Sequence, residues 1–167
     1  QLEIEGYEAD DIIATYCKLA EKQKIDSIIV SSDKDLMQLV TKEITMLDPM
    51  KNKKIGIDQV IEKFGLPPEK VIQIQALTGD KVDNIPGAPG IGPKTALQLI
   101  QEFGDVHNLI KNANKIPQEK RRNIIVDHEE DILVSLELVK LKNDIKLPID
   151  INKIHTYSSI NKNDNLS

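Results

Sequence analysis

The stretch Ile28-Ile29-Val30-Ser31-Ser32-Asp33-Lys34-Asp35 decides the fold, because a short run of β-branched residues ends abruptly in polar and acidic ones. Such a run is typical of a strand that is buried within a parallel sheet. In open α/β sheets, ligands bind beyond the carboxyl ends of the strands. The stretch therefore predicts a buried parallel strand and places Asp33 and Asp35 at a candidate site.

The residues around this stretch predict an α/β arrangement. Before it, apolar residues recur at helical spacing from Glu8 to about Gln23, which indicates an amphipathic helix. After it, a helical turn is predicted near residues 36–40 and a second strand at 44–47. Alternation of helix and strand is typical of α/β sheets. Because two strands are too few for a stable sheet, we expect partner strands upstream of the first residue.

From residue 58 onwards the pattern becomes helical. Asp58 is the predicted N-cap of a helix that ends at Gly65, and a further helix is predicted from the prolines at 67–68 to Leu77. A turn-rich stretch follows, and Pro93 then begins another helix, with more helices over 105–138. We therefore predict three parts, with these bounds: an α/β part at 1–57, a helical part at 58–147 and a flexible tail at 148–167.

Composition and charge narrow the class of protein. The 167 residues are 40% apolar and 29% charged, which favours a soluble globular chain. No apolar run is long enough for a membrane span, and a single cysteine, Cys17, excludes an intramolecular disulfide, so we expect a cytosolic protein. The net charge of −5 hides an asymmetry: residues 1–50 are strongly acidic, whereas residues 84–126 are basic. Acidic and basic regions side by side suit a metal-dependent enzyme that acts on phosphodiesters, and solvated surface faces are the more common alternative explanation for each stretch.

Three groups of carboxylates stand where predicted elements begin or end: Glu8, Asp10 and Asp11; Asp33 and Asp35; Asp80 and Asp83. Each group alone has an ordinary explanation, namely interaction with a helix dipole, helix capping and turn formation, respectively. If the groups converge, a divalent cation would relieve their mutual repulsion. Oxygen ligands without a suitably placed His or Cys favour Mg²⁺ or Mn²⁺ over zinc.

The stretch Gly90-Ile91-Gly92-Pro93-Lys94-Thr95, which follows the Pro86-Gly87 step, suggests an anion-binding helix start. Two glycines allow a tight turn and leave backbone N–H groups at the beginning of the helix free to contact a phosphate. Lys94 adds a positive charge and Thr95 a hydroxyl group. Such contacts read no bases, so the predicted DNA binding is sequence-independent and sensitive to salt. A purely structural turn is the alternative.

Four motifs occur in a fixed order: Gly6-Tyr7-Glu8-Ala9-Asp10-Asp11, Ser32-Asp33-Lys34-Asp35-Leu36-Met37-Gln38-Leu39, Thr78-Gly79-Asp80-Lys81-Val82-Asp83-Asn84-Ile85-Pro86-Gly87 and Gly90-Ile91-Gly92-Pro93-Lys94-Thr95-Ala96. Over about residues 4–147 their order and spacing resemble the 5′→3′ exonuclease domains of bacterial DNA polymerase I, within the flap endonuclease superfamily. The resemblance implies an incomplete PIN-like parallel sheet with helices, followed by an all-helical helix-hairpin-helix subdomain.

The resemblance also implies the site residues and the reaction. The metal ligands would be Glu8, Asp10, Asp11, Asp33, Asp35, Asp80 and Asp83, binding two or more Mg²⁺ or Mn²⁺ ions. The hairpin from Asn84 to Thr95 would grip duplex, flap or nicked DNA and, as in relatives, hold a monovalent cation such as K⁺; its DNA-binding residues would be Gly87, Gly90, Ile91, Gly92, Lys94 and Thr95. The expected reaction is phosphodiester hydrolysis near a 5′ end or flap junction, in DNA replication and repair at the bacterial nucleoid.

Members of this family begin with a strand that bears a further metal-binding Asp, followed by a basic helical arch, and neither feature matches here. The missing N-terminal segment or the polymerase domain of the same protein is therefore an expected partner, and we expect negligible cleavage by residues 1–167 alone. The second hypothesis is a catalytically inactive, sequence-independent module for binding duplex DNA, or a remnant of the nuclease. A third is a phosphatase with Asp33 as its nucleophile, which leaves the hairpin unexplained.

Overall fold

The structure is a computed structural model that describes residues 2–154. Its sheet, in the described residues, has three strands in the order β1 (Ser27–Val30), β2 (Ile44–Asp48), β3 (Lys53–Ile55). β1 pairs with β2 in parallel, with Ile29 opposite Met46, and β2 pairs with β3 in antiparallel orientation. The carboxyl ends of β1 and β2 therefore lie at the same edge of the sheet, and Asp33 and Asp35 follow β1 at that edge.

Two expectations about the strands are corrected. The sequence showed only two strands, because β3 has three residues, two of them lysines, and carries little β signal. β1 is not buried throughout: Ile29 is 7% exposed, but Ile28 and Val30 are each 63% exposed. Successive side chains of a strand point to opposite faces. The described residues thus cover one face of β1 and leave the other open.

The α-helices, in chain order, are α1 (Ala9–Lys22), α2 (Ile57–Phe64), α3 (Val71–Thr78), α4 (Pro93–Phe103), α5 (Val106–Lys111), α6 (Glu119–Asp127) and α7 (Glu129–Val139). Short 3-10 helices occupy Lys34–Leu39, Pro68–Lys70 and Ala113–Lys115. The predicted cap of α2 is wrong, because the N-cap is Gly56, whose N–H donates to Gln59 Oε1 at 2.8 Å. No helix within residues 2–154 is long and apolar enough to cross a membrane.

Two hydrophobic clusters hold the fold together. The first surrounds the sheet and includes Met46 and Val60, and the second is made by α3 to α7. α3 belongs to both, since Val71 lies in the first cluster and Leu77 in the second. Both side chains are 0% exposed. α3 therefore connects the sheet region to the helical region. Val60 extends the first cluster beyond residue 57, and the division at 57/58 stays a prediction.

The last described residues contact the first helix. The Tyr16 hydroxyl donates to the carbonyl oxygen of Ile149 at 2.9 Å, and residues 151–154 form one helical turn. The flexible tail predicted for 148–167 stays a prediction, and residues 155–167 lie outside the described part of the chain.

Candidate metal centre and nucleic-acid interface

A cleft of about 460 Å³ lies between the start of α1, the first 3-10 helix and the loop that joins α3 to α4. Four of the seven predicted metal ligands line it: Glu8, Asp10, Asp35 and Asp83. Glu8 and Asp10 begin α1, Asp35 follows β1, and Asp83 lies in the loop after α3. The fold therefore brings together at least one carboxylate from each of the three predicted groups.

The carboxylates in and beside this cleft disfavour one another's charge. Burial raises the pKa of Asp10, and the neighbouring charges of Asp33 and Asp35 raise it further. Burial likewise raises the pKa of Asp35, with Asp33 as the next cause. Both shifts mean that the charged form of each carboxylate is less favourable in the fold than in the unfolded chain, as expected where like charges meet in a partly desolvated site. A bound cation would reverse that preference.

The other three predicted ligands make hydrogen bonds elsewhere. Asp33 Oδ1 accepts from the Asp35 N–H at 2.9 Å and so caps the 3-10 helix. Asp11 Oδ1 accepts from the Lys142 N–H at 2.9 Å. Asp80 Oδ1 accepts from the Val82 N–H at 2.9 Å, which closes a turn. The ordinary roles that the sequence left open, capping for Asp33 and turn formation for Asp80, are therefore present in the structure.

Asp80 also forms an ion pair that the sequence did not predict. Its Oδ2 lies 3.1 Å from the Lys34 Nζ. The hydrogen bond from Lys34 lowers the pKa of Asp80 and is the largest cause of that shift. The sequence shows that Lys34 lies between two predicted ligands, Asp33 and Asp35. It gives no sign that Lys34 pairs with Asp80, because the two residues are 46 positions apart. Asp80 is thus directly paired with a lysine, whereas within residues 2–154 no ion pair involves a carboxylate that lines the cleft.

The seven predicted carboxylates do not form one preformed metal-binding cluster in the described residues. Within residues 2–154, no group of three or more His, Cys, Asp or Glu side chains is placed to hold a metal ion. The residues nevertheless fit a hard divalent cation, since four oxygen-bearing side chains share one cleft and the pKa values of two of them, Asp10 and Asp35, are raised by burial and by neighbouring carboxylates.

Sequence reasoning missed Gln75 of α3, which lines a neighbouring cavity and contacts the cleft carboxylate Asp35 from that side. Its Nε2 donates to Asp35 Oδ1 at 2.7 Å, across 40 residues of sequence. Its Oε1 is buried and has no hydrogen-bond partner among the described residues. A polar residue in the middle of a helix carries no local signal that it faces a particular carboxylate.

The loop between α3 and α4 is built by close backbone contacts. Asp80 and Ile85 exchange two backbone hydrogen bonds, of 2.9 and 2.8 Å. Gly79 and Gly87 adopt positive φ values of 67° and 61° and pack directly against each other. A Cβ atom added to Gly87 would lie 2.7 Å from the Gly79 Cα, and one added to Gly79 would lie 2.6 Å from the Ile85 carbonyl oxygen. Only glycine fits at these two positions without displacing backbone.

Two hydrogen bonds fasten this loop to the neighbouring helices. The Gly87 N–H donates to the Ser135 Oγ of α7 at 2.8 Å, and Ser135 is 0% exposed. The Ala88 N–H donates to the Leu77 carbonyl oxygen of α3 at 2.8 Å. Ser135 is a second residue that the sequence analysis missed, because a buried serine in a helix resembles any other small core residue.

The predicted anion-binding segment precedes α4 as expected. Gly92 is the N-cap and Pro93 the first helical residue. Ile91 is 5% exposed and anchors the turn in the core. Lys94 is exposed, and no atom lies within 4 Å of the point where a Cβ of Gly90 or Gly92 would stand. The outer side of the turn is therefore open to an approaching phosphate.

Comparison with known proteins identifies the family. A family model described as "5'-3' exonuclease, C-terminal SAM fold" matches residues 66–163, and one described as "5'-3' exonuclease, N-terminal resolvase-like domain" matches residues 1–65. DNA polymerase I of Rhizobium leguminosarum is 54% identical over 153 residues, which are 92% of this chain and 15% of that protein.

Two solved structures of the bacteriophage T5 enzyme are similar to this chain, each with 29% identity, 84% of this chain covered and 52% of that chain covered. One is the T5 5'-exonuclease with bound divalent metal ions (zinc), with a TM-score of 0.78. The other is the T5 flap endonuclease in a pseudo-enzyme-product complex with DNA and metal ions, with a TM-score of 0.75. The chain thus spans about half of these structures and a smaller share of the polymerase. The predicted fold class, a small α/β sheet followed by a helical region, is confirmed, and the chain belongs to the 5'-3' exonuclease family.

Proposed function

We propose that this chain contributes part of the metal-binding cleft and the duplex-binding hairpin of a divalent-metal-dependent 5'-3' exonuclease or flap endonuclease that hydrolyses DNA phosphodiesters. The observation that carries the proposal is the convergence of Glu8, Asp10, Asp35 and Asp83, from three separate segments, on one cleft. Because the chain covers 15% of the Rhizobium polymerase, the activity of the whole protein is part of the proposal.

In this proposal the four cleft carboxylates hold Mg²⁺ or Mn²⁺. Asp11, Asp33 and Asp80 complete the ligand set, directly or through water, once they release their present hydrogen-bond partners. The divalent metal ions bound in a T5 structure support this assignment. Such ions supply an activated water and stabilise the charge on the attacking and leaving oxygens. No side chain of the chain is required as a nucleophile.

The proposed role of the hairpin is to hold duplex DNA by its backbone. The backbone N–H groups at Gly90 and Gly92 and the Lys94 side chain would contact phosphates, while Thr95 adds a hydroxyl group and buried Ile91 keeps the turn in place. Gly87 acts indirectly, through the loop that it closes against Gly79. DNA bound to a T5 structure supports this role. A K⁺ ion at the hairpin, the three-part domain division, a polymerase-domain or N-terminal partner and a cytoplasmic location belong to the same proposal.

The direct test is a thermal shift with Mn²⁺. A ligand at one hundred times its Kd stabilises the fold by about 2.7 kcal/mol. For a chain of this size that corresponds to a rise in melting temperature of roughly 5–10 °C. Asp35→Asn should abolish the rise, whereas Asp58→Asn, at an exposed carboxylate of α2, should preserve it. A wild-type chain with no shift at saturating Mn²⁺ would refute the metal assignment.

A second candidate function is sequence-independent DNA binding without catalysis. One observation favours it: residues 2–154 hold no preformed group of three potential metal ligands. Cleavage of a 5′-flap duplex separates the two candidates. The binding module predicts salt-sensitive DNA binding but no metal-dependent cleavage, even when the chain is part of its full-length protein. The nuclease predicts cleavage in the full-length protein that is lost in Asp35→Asn.

A further inference from the structure

Gln75 lies on the helix that joins the two hydrophobic clusters and lines a cavity next to the carboxylate cleft, with Asp35 lining both. Its neighbour Ile74 packs in the cluster of the helical region, and Val71, one turn earlier, packs in the cluster of the sheet region. The Leu77 carbonyl oxygen, at the end of the same helix, accepts the N–H of Ala88 and so holds the base of the hairpin. The backbone of Gln75 is therefore fixed from both sides.

The contact between Gln75 and Asp35 has the form of an orienting interaction. The Gln75 Nε2 donates to Asp35 Oδ1 at 2.7 Å, at the short end of the range for N–H groups bonded to a carboxylate. The hydrogen bond lowers the pKa of Asp35 and so opposes the effect of burial. No described residue donates to the other oxygen, Asp35 Oδ2. One oxygen is thus held and the other is left for a cation.

Packing alone does not explain a glutamine at this position. Its Oε1 is buried without a partner among the described residues, and a buried acceptor in that state costs about 1–3 kcal/mol. An apolar side chain of similar length would avoid this cost. The glutamine thus has an amide oxygen whose burial is unfavourable and an amide N–H group whose contact is with Asp35, so that contact is the favourable interaction of its side chain.

Lys34 offers a useful contrast, because it also contacts a predicted metal ligand. Its ammonium group neutralises Asp80 and would compete with a metal ion for that carboxylate. The neutral amide of Gln75 orients Asp35 without cancelling its charge. Partners that hold a ligating carboxylate by a hydrogen bond in this way commonly change metal affinity 10- to 100-fold when they are replaced.

We propose that Gln75 is a positioning residue of the metal cleft, which holds the Asp35 carboxylate in the orientation that binds a divalent cation. The inference rests on the proposed function, since it requires that Asp35 be a metal ligand. It adds a residue of α3 to a site whose predicted ligands all lie in loops or at helix starts.

The test compares Mn²⁺ binding by calorimetry in the 167-residue chain and its variants. Gln75→Met keeps the length of the side chain and removes the N–H donor, and it should weaken Mn²⁺ binding roughly 10-fold or more. Its melting temperature without metal should stay within about 4 °C of the wild-type value. Gln118→Met is the matched control: Gln118 is exposed and makes no side-chain capping bond, so its variant should bind Mn²⁺ like the wild type.

The outcomes separate this inference from the proposed function. If Asp35→Asn loses Mn²⁺ binding while Gln75→Met binds like the wild type, the role of Gln75 is refuted and the metal site stands. A lowered melting temperature with an unchanged Kd would show that Gln75 is merely structural, which also refutes the inference. If the wild type and Asp35→Asn bind Mn²⁺ alike, both proposals fail. Should Gln75→Met not fold, Gln75→Leu replaces it in the same comparison.

Discussion

The carboxylate cleft and the loop between α3 and α4 differ in what limits their stability: mutual repulsion of charges in the cleft, and close backbone packing in the loop. In the cleft, side chains from distant segments approach one another although their charges repel, and the pKa values of Asp10 and Asp35 are raised. In the loop, backbone geometry decides the structure, because Gly79 and Gly87 pack where no Cβ atom fits. The cleft therefore depends on charge and the loop on shape. Removing a charge from the cleft should therefore raise the stability of the fold, while adding one carbon atom to a glycine of the loop should lower it.

The largest effect is expected for Gly87→Ala. The new Cβ would lie 2.7 Å from the Gly79 Cα, in a residue with a φ of 61°, and we expect a loss of about 3 kcal/mol in the free energy of unfolding. Urea denaturation measures it. The matched control is Gly90→Ala: its φ is 79° but no atom lies within 4 Å, so strain alone should cost about 1 kcal/mol. Equal losses in the two variants would show that close packing does not hold the loop.

Ser135→Ala tests the same loop through a side chain. The Gly87 N–H would lose its acceptor in a buried position, which should lower the free energy of unfolding by about 2 kcal/mol. The change should also loosen the hairpin. We expect the Gly87 and Ala88 amides to exchange hydrogen faster in the variant than in the wild type, and the amides of α6 to serve as an unaffected reference. Unchanged exchange at these two amides would mean that Ser135 does not fasten the loop.

Lys94→Glu tests the hairpin as a DNA contact. Reversing this exposed charge should weaken binding of duplex DNA about tenfold and reduce the slope of log K against log salt by about 1. Fluorescence anisotropy at several salt concentrations measures both. Lys22→Glu, at an exposed lysine in the last turn of α1, makes the same change in net charge and should have little effect. Equal weakening in both variants would indicate that only net charge matters.

The smallest effect is expected for Asp10→Asn, and its sign is the informative result. Because the folded pKa of Asp10 lies above its ordinary value, the ionised form destabilises the fold, and this cost disappears as the pH falls through that raised pKa. Asp10→Asn should therefore raise the free energy of unfolding without metal at neutral pH, by roughly 0.5 kcal/mol, and the gain should vanish near pH 3.

Asp80→Asn is the mirror experiment, since the pKa of Asp80 is lowered. Its stabilising contribution is present above the ordinary pKa and is lost as the pH falls through the lowered folded value. The variant should therefore be less stable than the wild type at neutral pH. If both variants change stability in the same direction, the ionised Asp10 and the ionised Asp80 do not have opposite effects on the fold, and the comparison between them is refuted.

Local patterns were sufficient for much of the fold. The helix predicted from Glu8 to about Gln23 is observed at Ala9–Lys22, and the one predicted to begin at Pro93 is observed at Pro93–Phe103. β3 was missed because three residues carry too little periodicity, and the burial of Ile28 and Val30 was wrongly predicted because their β-branched side chains are common in covered strands.

By itself the sequence determined the helices, the tight glycine turns, the types of side chain available for a metal and the motifs that resemble the nuclease family. These features depend on hydrophobic periodicity and on allowed φ values, which act over a few residues. The tertiary structure alone decided that Asp83 shares a cleft with Asp10, that Asp80 pairs with Lys34 and that Gln75 holds Asp35. Those contacts join residues 40 or more positions apart, so they follow from how helices and strands pack and not from any local pattern.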